Sequence, residues 1–240
     1  MALFREQGVV LRTWKLGEAD RIVNLLTGGR GKVRAVAKGV RKPGSRFGGR
    51  LEPFSHVDLQ LYEGRTLDIV TQTELIDGFA TVRADFALSA CGSSMVEAAD
   101  VIAQEGERSS RLYVLLLDGL RQLSLQPAWP ATVLDAYLLR LASVAGYHPQ
   151  LDACAGCGAP GDHDTFHPAA GGVVCFRCAP GGTRPLDPET MGLLRTLASA
   201  DWGVDTGADQ RARRAVSALI NSFLAYHLGR SLKAWELVPR

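Results

Sequence analysis

The chain has 240 residues, 46% of them hydrophobic and 22% charged, which excludes a disordered, collagen-like or membrane-embedded class and leaves an ordinary globular protein. Its length suits one large or two modest domains, no stretch approaches the roughly 18 apolar residues of a membrane span, and residues 1–7 lack the apolar core of a signal peptide. The net charge of +2 is unevenly spread: Lys and Arg number 13 against 9 acids in residues 1–80, and 14 against 16 in the remainder.

The first part reads as β. Residues 8–14 and 20–27 are β-rich runs bounded by Gly and polar residues, and a Gly-rich turn follows at 28–31. Residues 32–38 alternate, with Val33, Ala35 and Ala37 on one face and Lys32, Arg34 and Lys38 on the other. A basic, Gly-containing loop spans 39–49. Residues 56–62 alternate again, with Val57, Leu59 and Leu61 inward, and 66–77 form a last strand with Leu67, Ile69 and Leu75 on the buried parity. About five short strands in so short a span suit a small closed barrel. An OB-type barrel over residues 1–79 is the natural candidate, although an SH3-like barrel has the same pattern.

After Gly78 the period becomes helical. Residues 84–104 carry Phe86, Ala90, Val96, Ala99 and Ala103 at helical spacing, and 111–125 and 131–145 are Leu-rich helices parted by Pro127 and Pro130. Asp187 before Pro188 marks an N-cap opening a helix to about Ser199. A last amphipathic helix runs from about Gln210 to Leu228. The expected fold class is α+β and multidomain: an OB-type barrel, then a helical domain over 80–240 with a metal module inserted at about 150–185.

That module rests on Cys154, Cys157, Cys175 and Cys178, two C-x2-C pairs separated by 17 residues. The spacing predicts one tetrahedral, four-thiolate zinc site. Four protein ligands leave no position for a reactive water, so the zinc is expected to be structural. Gly158, just after the second cysteine, allows the positive φ of a knuckle turn. His163 and His167 are read as surface residues, and Cys91 as a small buried hydrophobe. A redox dithiol is the weaker reading, because a second pair stands at ribbon spacing.

No H-E-x-x-H, G-x-S-x-G or complete P-loop occurs, since Val33 follows Lys32 where Ser or Thr belongs, so no enzyme is expected. Instead, Arg30 to Arg50 holds eight basic residues and no acid. Lys32, Arg34, Lys38, Arg41, Lys42, Arg46 and Arg50 are the candidate nucleic-acid contacts. Phe47 is a candidate base-stacking platform, with core packing as its equal alternative. Trp14 and Tyr62 read as core or rim. About four to six of these cations on phosphates predict a single-strand log–log salt slope of roughly −3 to −4. On the last helix, Val216, Leu219, Ile220 and Phe223 form an apolar stripe behind Arg211, Arg213 and Arg214. Core packing is the favoured reading of that stripe, and a seat for an acidic peptide tail the sharper one.

Several segments together resemble the RecO family of bacterial recombination mediators. They are Gly8-Val-Val-Leu-Arg12, Gly17-Glu-Ala-Asp-Arg-Ile-Val23, Leu26-Thr27, Gly31-Lys32, Ala37-Lys-Gly-Val-Arg41, Ser45-Arg-Phe47, Leu51-Glu-Pro-Phe54, Gln72-Thr-Glu-Leu-Ile76, Gly146-Tyr-His-Pro149 and Gly171-Gly-Val-Val-Cys175. The resemblance implies an N-terminal OB domain, a helical domain and a four-cysteine zinc finger. It implies binding to single- and double-stranded DNA, annealing of complementary strands, and action with RecR in the cytoplasm on the nucleoid. It further implies engagement of the acidic C-terminal tail of single-strand-binding protein and, indirectly, loading of RecA. The alternatives are a general OB and zinc-ribbon binder of single-stranded RNA, and a protein-interaction scaffold whose basic block serves solubility.

Overall fold

The structure, a computed structural model, describes residues 2–199, 202 and 206–240 and divides into two compact units, up to Gln126 and from Pro127. In the first, β1 (Leu3–Leu16), β2 (Asp20–Thr27), β3 (Gly31–Ala37), β4 (His56–Tyr62) and β5 (Asp68–Asp77) close into a barrel of order β1-β2-β3-β5-β4. β1 pairs with both β2 and β4, and β3 meets β5 in parallel at Ala35↔Asp68 and Val36↔Ile69. This is the OB-type barrel the alternation predicts. β3 keeps strict alternation, so Val33, Ala35 and Ala37 go inward with Val10, Val23, Leu25, Val57, Leu59 and Leu61. β1 does not: a register shift between Val10 and Arg12 lets Gly8 through Leu11 all be buried.

β5 departs from the sequence pattern. Its buried residue is Val70, whereas Leu75 is 48% exposed and Leu67 and Ile69 are half-buried. A register shift where β4 passes from Gln60 to Leu61 moves the pairing from Gln72 to Val70 and resets the parity. Beyond it, Glu74, Leu75, Ile76 and Asp77 are all exposed, Leu75 although it lies opposite the inward Val57.

Three helices complete this unit: α1 (Ala80–Ala84), α2 (Phe86–Ile102) and α3 (Ser110–Ser124). Asp85 caps α2 by accepting from the Leu88 N–H at 2.9 Å. Small residues on α2 (Ala90, Cys91, Gly92, Ser94, Ala98, Ala99) let its neighbours approach closely, and α2 packs on α1, α3 and β1. Phe86 is not in that stripe. At the first turn of the helix it is 68% exposed, and Met95 supplies the bulky core side chain instead.

The second unit holds α4 (Pro130–Val144), α5 (Pro188–Ala198) and α6 (Gln210–Leu228), packed against one another, and a short hairpin of β6 (Thr165–His167) and β7 (Gly172–Val174) in the cysteine segment. Asp187 and Asp209 cap α5 and α6 by accepting from Thr190 and Ala212 at 3.0 and 2.7 Å. α4 is buried on nearly every side, with Val133, Leu134, Tyr137, Leu138 and Leu141 all fully enclosed. Val216, Ile220 and Phe223 of α6 are likewise core, so the stripe packs rather than docks. Among the described residues no helix is long and apolar enough to cross a membrane.

Candidate nucleic-acid interface and metal centre

The basic segment leaves β3 at Ala37 and descends through consecutive tight turns, Lys42 N–H to Gly39 O, Ser45 to Lys42, Gly48 to Ser45 and Arg50 to Phe47, all at 3.0–3.1 Å. Two side chains anchor it. Phe47 and Leu51 are each only 1% exposed and enter the barrel core. Lys38, Arg41, Lys42, Arg46 and Arg50 therefore point to solvent. No carboxylate among the described residues pairs with any of these five. Two are used partly for shape: Arg41 donates to the Gly17 and Glu18 carbonyls at 3.3 and 2.9 Å, and Arg50 to the Arg46 carbonyl at 2.6 Å.

The other three candidates fall elsewhere. Phe47, read as a stacking platform, packs inward, because a large apolar ring gains more from the barrel core than from solvent. Its outer side is met by Arg46, whose guanidinium lies 4.9 Å from the ring centre. Lys32 is held by Asp100 of α2, with Nζ 2.7 Å from Oδ1 and 2.8 Å from the backbone carbonyl. Arg34 remains exposed and makes a long contact of 3.5 Å to Glu105.

Trp14, expected in the core or at the rim, belongs to the barrel's outer surface. It is 36% exposed, with the Arg12 guanidinium 5.0 Å over its ring. Its strand neighbour is Ile22, which pairs with Val36, while Arg12 pairs with Asn24 and Asn24 with Arg34. Arg12, Trp14 and Arg34 thus share the outer face of β1–β3. The signal for it in the sequence is Arg12 and Trp14 at i, i+2, which puts a cation and an indole on one side of a strand.

The four cysteines converge. Their sulfurs all lie within 4.8 Å of one another, and Cys157 and Cys175 are 3.8 Å apart. A tetrahedral zinc with Zn–S near 2.3 Å requires sulfur separations of about 3.8 Å. The donor set fits a tetrahedral thiolate-bound metal, and no other group of three or more metal-binding side chains occurs among the described residues. The Cys175 N–H donates to Cys154 Sγ at 3.3 Å, and this backbone donation holds the Cys154 thiol down at about 6. Cys178, sharing hydrogen bonds with Cys157, Cys175 and Cys154, is pushed up to about 12. Crowded thiolates repel one another, and a central cation removes that cost.

Local geometry serves this convergence. Gly158 has φ +73°, the left-handed value the knuckle needs, and a Cβ on Gly156 would sit 3.0 Å from that of Cys178. The two knuckles are tied by Ala155 N–H to Val173 O at 2.7 Å and by Gln150 exchanging bonds with Gly171 and Val173. His163 and His167 are half-buried and outside the cluster, and Cys91 is buried on α2. Phe176 stands 86% exposed between the second pair of cysteines.

Comparison with known proteins supplies the lineage. The family model described as "Recombination protein O N terminal" matches residues 1–79, and "Recombination protein O C terminal" matches residues 83–236. A "DNA repair protein RecO" of Nocardioides sp. is 48% identical over 243 residues, covering 99% of this chain and 100% of the relative. Another of that name, from Thermobifida fusca, is 45% identical over 242 residues, covering 100% of each.

Proposed function

Since the chain belongs to the RecO family of DNA repair proteins, we propose that it is a non-enzymatic DNA-binding mediator of strand annealing. The observation that carries this reading is the loop of exposed, carboxylate-free cations, Lys38, Arg41, Lys42, Arg46 and Arg50, displayed beside an OB-type barrel. Fixed cations on a rigid loop neutralise phosphates without reordering. Neutralising two strands at once lowers their mutual repulsion and lets complementary bases meet. Arg34 extends the cationic surface along β3, and Arg12 with Trp14 adds a stacking surface on the same barrel face.

In this reading the four cysteines hold one structural zinc ion that keeps residues 150–185 folded, and they take no part in chemistry. Single- and double-stranded DNA are the direct ligands. RecR, the acidic tail of single-strand-binding protein and, indirectly, RecA are the protein partners, in the cytoplasm on the nucleoid. Tethering through such a tail would raise the local concentration of the mediator on coated strands. The stripe of α6 is buried and does not serve as the tail's seat.

The decisive measurement is annealing of two complementary oligonucleotides by the protein and by its Lys38→Ala, Arg41→Ala, Lys42→Ala, Arg46→Ala variant. The variant is expected to keep the far-ultraviolet circular dichroism of the parent and to lose annealing. Unchanged annealing places the DNA site elsewhere, and a stronger preference for RNA than for DNA of one sequence favours the RNA-binding alternative.

A further inference from the structure

A second group of cations lies at the opposite end of β3 from the loop that begins at Lys38. The turn before β3, the loop between β4 and β5, and the segment after α2 meet around a cavity of about 400 Å³. Arg30, Arg34, Arg65 and Arg108 line it together with two acids, Asp68 and Glu105. All four arginines are exposed at its mouth. Arg65 and Arg108 come from segments far apart in sequence and lie outside the basic block, so no charge run announces them.

The two acids differ in what they do. Asp68 Oδ1 accepts from the Gly64 N–H at 3.1 Å and so shapes the β4–β5 loop. The Glu105 side chain is exposed, and its Oε1 reaches Arg34 Nη1 only at 3.5 Å. An exposed pair at that separation contributes little and is displaced at small cost. Arg30 is steadied by the Phe4 ring, 3.8 Å from its guanidinium carbon. Guanidinium groups converging on one cavity suit a phosphate, which they bind through paired, charge-assisted hydrogen bonds.

We propose that this cavity is a subsite for a backbone phosphate of single-stranded DNA, and that the Glu105 carboxylate occupies the phosphate's place on Arg34 until a strand enters. The inference rests on the DNA-binding reading above and deepens it by giving the strand a second, defined point of grip. Arg34 of β3, which lines the cavity, lies four residues before Lys38, so roughly 13 Å of strand separates the cavity from the basic loop. One strand lying along β3 spans both, within the roughly 4–16 nucleotides an OB barrel covers. The carboxylate yields at small cost, and a strand already held by the loop delivers its phosphate at high local concentration.

The test is the binding of fluorescein-labelled oligothymidylate by the full chain, followed by anisotropy over a range of salt. Arg65→Ala and Arg108→Ala are each expected to weaken binding several-fold and to flatten the log–log salt slope by about 0.7. Glu105→Gln is expected to tighten binding at least threefold more than Glu74→Gln, an equal charge change on the outward part of β5. Thermal melting checks that each variant is folded. Wild-type affinity and slope in both arginine variants, with binding lost in Lys38→Ala, Lys42→Ala, would remove the cavity from the path and leave the loop in it. Equal effects of Glu105→Gln and Glu74→Gln would overturn the displacement. No salt-dependent binding by the wild-type chain would end the DNA-binding reading itself, and this proposal with it.

Discussion

Lys32 of β3 places its ammonium 2.7 Å from Asp100 Oδ1 on α2 and donates to the Asp100 carbonyl as well, so this cation of the basic block joins the barrel to a helix. Both side chains are less than one-fifth exposed, at 15% and 19%, and Asn24 Nδ2 lies 3.3 Å from the same carboxylate oxygen. Lys32→Ala is therefore expected to act on stability. Removing one partner of a largely enclosed pair strands the other, and the remaining solvent access reduces the penalty to about 1–3 kcal/mol. Denaturant unfolding should show that loss, while DNA affinity falls less than in Lys38→Ala, Lys42→Ala. The reverse order would return Lys32 to the binding surface.

Phe47 gives a matching prediction. Its ring is buried and anchors the basic loop. Phe47→Ala should cost about 3–5 kcal/mol of stability, as truncation of an enclosed aromatic does. Phe47→Leu should keep most of the stability and all of the DNA affinity, measured by melting and anisotropy. Lost affinity in a well-folded Leu variant would mean that the ring touches bases after all.

For the loop, the expected quantity is a slope. Lys38 and Lys42 are exposed and have no carboxylate partner among the described residues. Removing both should reduce the magnitude of the single-strand log–log salt slope by about 1.4, with melting unchanged. A lowered affinity with the slope intact would point to shape rather than phosphate contact.

The metal centre should bind one zinc per chain, counted by elemental analysis. Chelation is expected to open residues 150–185 to protease while leaving the barrel's DNA affinity in place. Cys154→Ser should do most damage, since that sulfur is buried and accepts the Cys175 N–H. Loss of annealing on chelation with protease resistance retained would show that the metal does more than hold shape.

Asp135 sets a pH dependence in the second unit. Burial raises its carboxyl from 3.8 to about 6, although Arg240 at 3.5 Å and the Ser217 hydroxyl oppose the shift. The folded state thus holds a proton that the unfolded chain releases. This contribution to stability is complete below about pH 4, declines as pH rises towards about 6, and is absent above that. Asp135→Asn removes the dependence, so wild type minus variant should be larger at pH 4 than at pH 7. A difference that grows with pH would mean the Arg240 contact prevails over burial.

Much of this was legible in the residues. Strict alternation in residues 32–38 placed Val33, Ala35 and Ala37 inside, because a strand's side chains change face at every step. The C-x2-C pairs placed a four-sulfur site, because the spacing lets both thiols of a knuckle face one point. Asp187 and Pro188 marked a helix start through local hydrogen bonding alone. What the residues left open or misplaced depended on neighbours remote in sequence. A slip against β4 chose Val70 over Ile69 as the residue opposite the inward Leu61. An open barrel end drew in Phe47, and Asp100 on α2 claimed Lys32. The cavity of Arg30, Arg34, Arg65 and Arg108 exists only because three separate segments fold onto one another. Charge type and side-chain period belong to the sequence; which cation faces a carboxylate and which faces water is decided by the tertiary fold, since Coulomb and packing energies depend on distances that chain order does not contain.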